Sequence, residues 1–327
     1  MTFIARRLAF YVVAIWAAVT INFAIPRVMP GNAVESALSR FQNLTPQVVK
    51  ALEIELNFHP KGSIFSQYIQ YWNDVLHFNL GVSTSQYPTH VSTIIGQTLP
   101  WTLILVGVAT VLSFAIGTIL GIFAAWRRGG WLDRAMPTLT LLQAMPYFFL
   151  ALLLIYFFAI QLKWLPFGQG YSLGLSPGFN WAFISSAITH SILPALTIIA
   201  TSVGGWMLQM RNVMLTTISE DYILVAQAKG LSTRRVMFTY GARNAILPNI
   251  AGFALAIGFV VAGALVMEIV FSYPGVGLTL YNAVTSNDYP LMQGIFLVIS
   301  LAVLSASFLA DIAYAVLDPR ARRRSAF

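Results

Sequence analysis

An all-helical integral membrane protein with six transmembrane helices is the fold class this sequence predicts, and three observations predict it. Of its 327 residues, 57% are hydrophobic and only 9% are charged, against about 25% charged in a soluble domain. Six apolar stretches, nearly or wholly free of charge, are each long enough to cross about 30 Å of hydrocarbon at about 1.5 Å per residue. The cations gather between them, at the ends of the apolar runs. Lipid offers the backbone no hydrogen-bond partners, so each run is expected to satisfy its own backbone as a helix.

The first span is read at residues 8–25, the second at 101–126 and the third at 135–162, the last two without any charge. The fourth covers 190–208, the fifth 249–271 and the sixth 291–316. Arg6-Arg7 ahead of the first run looks like the start of a signal peptide. The apolar core is too long for one, however, and no small-residue cleavage site follows, so an uncleaved first span is expected. Six spans put both termini on one side. That side carries Arg6, Arg7, Arg127, Arg128, Arg134, Arg211, Lys229, Arg234, Arg235, Arg243, Arg320, Arg322, Arg323 and Arg324. The other carries only Arg27, Arg40, Lys50, Lys61 and Lys163, in longer loops. The positive-inside rule then makes the first side cytoplasmic, N-in and C-in.

Four regions follow from this layout. Residues 1–30 are an N-terminal segment with the first helix, and 31–100 an extracytoplasmic cap region inserted after it. Residues 101–317 form a five-helix core that includes a polar segment at 211–248, and 318–327 a basic cytoplasmic tail. The cap region is short of core-forming runs but holds amphipathic pieces such as residues 65–72. His59, His77 and His90 lie in it and His190 faces the same side, yet no H-x-H or H-x-x-x-H spacing occurs. Interfacial histidines, not a metal site, are the expectation.

Several chemistries are excluded. The net charge of +8 sits at span ends, where anionic lipid and the membrane potential act on it, so the partner it implies is the bilayer and not nucleic acid. With no cysteine, disulfides and thiolate sites are impossible. No Gly-Lys pair exists to build a phosphate-binding P-loop, and neither H-E-x-x-H nor G-x-S-x-G is present, so the enzyme reading has no support. Glu268 in the fifth span and Asp311 in the sixth are the intramembrane acids. A carboxylate in that position is a functional hypothesis by default. Lying toward opposite ends of their spans, the two suit structural or gating contacts better than a proton relay.

The polar segment 211–248 lies between charge-free neighbours. Residues 222–229 are helix formers with small Ala226 and Ala228, and Gly230 suits a left-handed stop. Ser232 is an N-cap candidate for a second short helix over about 233–241, with Arg234 and Arg235 in its first turn and Val236, Met237 and Tyr240 as an apolar stripe. Pro248 permits a fresh helix start. Helix, glycine stop, amphipathic helix and proline restart describe a knob standing off the membrane. A docking surface that buries the small and apolar face in a partner fits this pattern better than a merely solvated loop.

This segment resembles the cytoplasmic coupling loop of ATP-binding-cassette importer permeases. Asp221-Tyr222-Ile-x-x-Ala226-x-Ala228-Lys229-Gly230-Leu231-Ser232, followed by Arg243-Asn244-Ala-Ile-Leu-Pro248, looks like the branch that imports peptides, nickel and some oligosaccharides. The likeness covers nearly the whole chain. Arg6-Arg7 with Pro30-Gly31-Asn32 is similar to the family's opening. Leu99-Pro100-x-Thr102, Gly117-x-x-x-Gly121, Trp131-Leu-Asp133-Arg134, Pro146-Tyr-Phe, Trp164-Leu-Pro166 and Leu193-Pro194-Ala-Leu-Thr197 resemble its middle. Glu268-x-Val-Phe-Ser-Tyr-Pro274-Gly275-Val-Gly277, Asp288-Tyr-Pro290 and Asp311-x-x-Tyr314-x-x-x-Asp318-Pro-Arg320 resemble its end. Three positions depart: Asn32 stands where the family often has Asp, Leu224 where the loop signature has Glu, and Ser307 where the family has Asn.

The resemblance implies a type I ABC importer-like permease fold. It also implies a role as half of a translocation pore, working with a homologous second permease subunit, two cytoplasmic ATPase subunits and an extracytoplasmic substrate-binding protein. ATP and Mg would be held by the ATPases, with no cofactor bound by this chain. The coupling loop would dock on the ATPase, Glu268 and Asp311 would serve as intramembrane polar or gating groups, and the Pro274, Gly275, Gly277 turn would face outward. The cargo expected from the family is oligopeptide, with oligosaccharide or nickel as alternatives, in the cell membrane of a prokaryote. A proton-coupled secondary transporter would need more buried titratable groups and internal repeats, and a channel a charged or carbonyl-rich filter. Tyr71, Trp72, Tyr147, Phe148, Trp164 and Tyr171 are read as membrane-interface aromatics rather than a sugar-stacking surface.

Overall fold

A computed structural model describes residues 3–28, 63–260 and 265–317. The expectations for Pro30-Gly31-Asn32, for residues 31–62 of the cap region and for the tail 318–327 lie outside the described residues. Described elements are helical apart from one antiparallel bridge, Val82 to His90. In order they are α1 (Phe3–Val28), α2 (Ile64–Leu76), α3 (Val91–Trp126), α4 (Trp131–Ala144) and α5 (Tyr147–Leu154), which widens into π turns over Ile155–Gln161. There follow α6 (Trp181–Ile218), α7 (Asp221–Ala228), α8 (Thr233–Arg235) with π turns over Val236–Ala242, α9 (Arg243–Ala245) and α10 (Leu247–Phe259). The last are α11 (Leu265–Val270), α12 (Val276–Thr285) and α13 (Tyr289–Leu317).

Among the described residues, four single helices are long and apolar enough to cross a membrane: Arg7–Ile25 within α1, α3, α6, and Tyr289–Ile312 within α13. Counting each of two bent pairs as one span raises the number to six. The first pair corrects the expected third span, because residues 135–162 are not one straight helix. α4 meets the α5 segment at 101°, and the bend sits at Met145, held extended at φ −73°, ψ 136° ahead of Pro146. Proline's ring disfavours helical backbone in the residue before it. The fourth span is longer than expected at both ends, since Asn180 caps α6 by accepting from Phe183 N at 2.8 Å. At about 1.5 Å per residue, the 36 residues of α3 and the 38 of α6 outreach the hydrocarbon.

Two compact units divide the chain. The first takes residues up to 102, with 261–269 and 274–308. Its core joins the start of α3 (Val91, Ile94, Ile95) to α12 (Val276, Leu280) and α13 (Tyr289, Leu291, Ile295). Asn22 on α1 donates to the carbonyl of Gln293 at 2.9 Å, and Gln293 Nε2 donates back to the carbonyl of Asn22 at 2.9 Å.

The second unit holds 103–260, 270–273 and 309–327, and α6 is its spine. Two faces of α6 meet neighbours at backbone distance. A Cβ on Gly117 would lie 2.6 Å from Trp206 Cβ and 2.7 Å from Val203 O, and one on Gly121 would lie 2.6 Å from Met207 O. On another face, Gly204 abuts the carbonyl of Leu139 on α4. Close helix approach through small residues replaces the hydrophobic drive that lipid removes. Phe114, Phe253 and Trp206 fill the layer beside Gly117, the two phenylalanines stacked at 4.3 Å. The loop after α5 is fixed by Gln169 N donating to the Phe271 carbonyl at 2.7 Å.

Gly117→Val and Gly121→Val are therefore expected to destabilise the detergent-solubilised protein by about 1–3 kcal/mol, the range for overpacking a close-packed site. Gly96→Ala, whose Cβ meets nothing within 4 Å, should leave the melting temperature unchanged. Thermal melts of the three variants check this.

Candidate functional sites: a helical knob and two buried carboxylates

The polar segment begins as the last two turns of α6. There Arg211 Nε donates to Asp133 Oδ1 at 2.6 Å, and Asp133 Oδ2 accepts from Gly129 N at 2.9 Å. The aspartate of the Trp131-Leu-Asp133-Arg134 motif thus ties the α3–α4 turn to α6. After Ser219, α7 carries Asp221 in its first turn, where a negative charge favours the helix dipole. Its end is a Schellman motif: Gly230 N donates to Gln227 O at 2.9 Å and Leu231 N to Ala226 O at 3.4 Å, with Gly230 at φ +74°.

Ser232 has the extended backbone of an N-cap, but its side chain makes no capping bond, contrary to expectation. The second helix also runs past residue 241, through the π turns and α9 to Ala245. At Ile246 the chain bends 52° into α10, with Leu247-Pro248 in its first turn.

A second correction concerns the apolar face of the segment. Expected to be buried in a partner, it is buried in this chain. Ile223, Ala226 and Val236 are fully or nearly fully enclosed with Trp126, Leu231 and Tyr240 around them. Met237, Ala242 and Ala245 pack on Met210 and Met214 of α6 and on Ile122 and Ala125 of α3. Asn244 Nδ2 donates to Tyr222 OH at 3.1 Å and to the Tyr240 carbonyl at 3.2 Å, clamping α7 to α9. The knob is seated on α3 and α6, not held off them.

What faces outward is Asp221, Tyr222, Leu224, Val225, Ala228, Lys229, Gly230, Ser232, Arg234, Arg235, Arg243, Asn244 and Pro248. Leu224 is 57% exposed. Among the described residues, no ion pair engages Lys229, Arg234, Arg235 or Arg243.

In the first unit, Glu268 is fully buried, and the structure gathers around it residues that sequence reasoning had kept apart. Thr102 Oγ1 donates to Glu268 Oε1 at 2.6 Å and accepts from Val276 N at 2.9 Å. Gly277 N and Leu278 N donate to Oε2 at 2.6 and 3.2 Å. The carboxylate therefore fills the first turn of α12, where four backbone donors have no helical acceptor and an anion is favoured. A Cβ on Gly275 would run into the carboxyl group, and one on Gly277 would lie 2.9 Å from Oε2 and 2.7 Å from Leu265 Cα. That is why the turn reads Pro274-Gly275-Val-Gly277.

Asp288, also fully buried, caps α13. Its Oδ1 accepts from Leu291 N at 3.1 Å, while Oδ2 accepts from Ser83 Oγ, from Ser85 N at 2.9 Å and from Ser85 Oγ at 2.6 Å. Sequence reasoning did not single out Thr102 or Asp288 as site residues. An aspartate just ahead of a Pro-containing apolar run was an available capping signal. Asp311 is half-buried and belongs to the other unit. Among the described residues, no group of three His, Cys, Asp or Glu side chains could hold a metal ion.

The family described as binding-protein-dependent transport system inner membrane component matches residues 117–323. A putative peptide permease of Brucella suis is 34% identical over 299 residues, covering 91% of this chain and 92% of its own. The di/tripeptide transport system permease DppB of Pseudomonas aeruginosa is 31% identical over 340 residues, covering 99% of each. The oligopeptide transport system permease AppB of Bacillus subtilis is 30% identical over 322 residues, covering 97% of this chain and 98% of its own.

Replacing the buried acceptor should cost far more than its isosteric size suggests. Glu268→Gln retains one acceptor oxygen for the Gly277 and Leu278 N–H groups but turns an amide donor toward Thr102 Oγ1, whose hydroxyl loses its acceptor, and is expected to destabilise by about 1–3 kcal/mol, the desolvation cost of unmade buried bonds. Gly275→Ala should act through the same contact. A thermal-melt cycle of Glu268→Gln and Thr102→Val should be non-additive, as it is for residues in one network, and strict additivity would contradict the shared network.

Proposed function

The chain belongs to the family of binding-protein-dependent transport system inner membrane components, and from that membership we propose that it forms half of the translocation pore of an ATP-driven importer of oligopeptides. It is a multi-pass protein of a prokaryotic plasma membrane and a permease rather than an enzyme. What carries the peptide reading is the match, along nearly its full length, to proteins named as peptide permeases. Its partners in this reading are a homologous second permease subunit, two cytoplasmic ATPases that hold ATP and Mg, and an extracytoplasmic binding protein that selects the cargo. Six spans, N-in and C-in, put the knob on the cytoplasmic side.

The knob supports this reading by its construction. Its apolar side is anchored on Met210, Met214, Ile122 and Ala125, while its outer side presents Asp221, Leu224, Lys229, Arg234, Arg235 and Arg243. A force applied to that outer side by the ATPases is passed directly to α3 and α6. ATP-driven closure would draw the two knobs of the pore together and switch the cavity between inward and outward access as a rigid-body change. The Glu268 network and the Pro274-Gly275 turn belong to the part of the permease that faces the binding protein, and Asp311 to the opposite end of its span.

Two measurements test this. Gly230→Val strains a left-handed backbone position, and Arg243→Glu reverses an outward charge. Both should abolish co-purification of the ATPase while membrane yield is retained, and peptide uptake driven by this chain without any ATPase would overturn the reading. For orientation, a membrane-impermeant maleimide should label Asn73→Cys from outside intact cells and Arg234→Cys only after permeabilisation; the reverse pattern would reject the N-in topology.

A further inference from the structure

The helix α2 has no role in the transport reading, yet its surface is sharply divided. Wound at about 3.6 residues per turn, it has one flank that meets α1. Tyr68 OH shares a hydrogen bond of 2.7 Å with Thr20, Tyr71 OH accepts from Asn22 Nδ2 at 3.0 Å, and Gln67 Oε1 accepts from Arg27 at 3.0 Å. Phe23 packs edge-on against Tyr68 at 5.2 Å. A second flank, with Ser66, Gln70, Asn73 and Asp74, is polar. The third is apolar, and among the described residues its aliphatic and phenyl groups are open: Phe65 is 71%, Ile69 54% and Leu76 69% exposed, with Trp72 between them packed edge-on against Tyr68 at 6.4 Å.

We infer that α2 lies in the membrane surface beside α1, with the Phe65, Ile69, Trp72 and Leu76 stripe immersed in lipid acyl chains and the Ser66–Asn73 flank in water. The occupant is set by where α2 is attached. Thr20, Asn22 and Phe23 fall inside the apolar window Arg7–Ile25 of α1. Thr20 is five residues before its end, about 7–8 Å along the axis. An interfacial amphipathic helix sits with its apolar face about 5–10 Å into the headgroup–acyl boundary, which is this depth. The stripe also continues a surface that already faces lipid, since Trp16 and Ile21 of α1 are exposed on a spanning helix.

Arg27, just past the window, is folded back over the Phe23 ring at 3.6 Å and donates to the Phe23 carbonyl at 2.8 Å, the posture of a cation at the edge of the apolar zone. The inference needs membrane residence alone and stands independently of cargo and ATPase.

The absence of cysteine makes the test direct. Single cysteines at Phe65, Ile69, Leu76, Ser66 and Asn73 of the full-length chain are labelled with NBD and reconstituted into phosphatidylethanolamine–phosphatidylglycerol vesicles. The two quenchers are lipid doxyl-labelled high on its acyl chain and aqueous iodide. Labels at 65, 69 and 76 are expected to show blue-shifted emission, to lose intensity with the doxyl lipid and to ignore iodide. Those at 66 and 73 should respond to iodide. Iodide quenching at 65, 69 and 76 equal to that at 66 and 73 would place the stripe in water and overturn the inference. Protection from both quenchers would mean a protein cover, from residues 29–62 or a partner subunit, and would overturn it equally.

Discussion

The carboxylate of Glu268 is the interaction on which the first unit depends. A chain in lipid cannot leave a helix end open, because no water reaches the orphaned donors. Yet α11 stops at Val270 and α12 begins at Val276. The donors that this break exposes at Gly277 and Leu278 are taken up by one side chain from the preceding helix, and Thr102 closes the ring by bonding both the carboxylate and Val276 N. A carboxylate suits the place because both of its oxygens accept, and three donors, Thr102 Oγ1, Gly277 N and Leu278 N, point at it. The glycines at 275 and 277 then follow from space, since a side chain at either would occupy the place of the carboxylate. Asp288 solves the same problem for α13 by a local route, and in doing so fixes the Ser83–Ser85 turn.

Elsewhere the constraint is contact rather than charge. Inside lipid, helices gain little by burying apolar surface against one another, and dispersion at close range must do the holding. The α6 backbone is accordingly met at Gly117, Gly121 and Gly204 by atoms that would overlap any Cβ. The methionines Met207, Met210 and Met214, all fully buried, fill what is left, flexible enough to fit the irregular gap where Gly241 comes within reach of Met214. The knob is an extension of this packing beyond the spans.

Much of this was legible in the sequence, for reasons that separate cleanly. Composition and apolar run length identify a helical membrane protein because lipid permits few alternatives. Gly230 announced a left-handed stop because few residues adopt positive φ cheaply. The Pro146 bend was not foreseen, although the residue before a proline is biased away from helix, because an uncharged run was read as one span. Nor did the pattern reveal that Glu268, Thr102 and Gly277 meet. Thr102 lies 166 positions from Glu268, and nothing in a single chain's periodicity encodes such a pairing. The apolar stripe at Val236 and Met237 was correctly seen as needing cover, but periodicity cannot say whether the cover is a partner or the chain's own helices.

That last ambiguity, once resolved, changes what the knob can offer. With Ile223 and Ala226 turned inward, the residues one turn apart on the open face of α7 are Glu220 and Asp221, then Leu224, then Ala228 with Lys229 beside it. Acids stand at the N-terminal end and a cation at the C-terminal end, the distribution that the helix dipole favours. An eight-residue helix is too short to persist on local bonds alone. Its persistence comes from the buried seat, the Asn244–Tyr222 bond and the Schellman stop at Gly230, none of which uses the exposed side chain of Leu224. Leu224 can therefore depart from the family's acid at that position without loss of fold. The face it creates is apolar at its centre and charged only at its two ends, with Glu220 and Asp221 one turn back from Leu224.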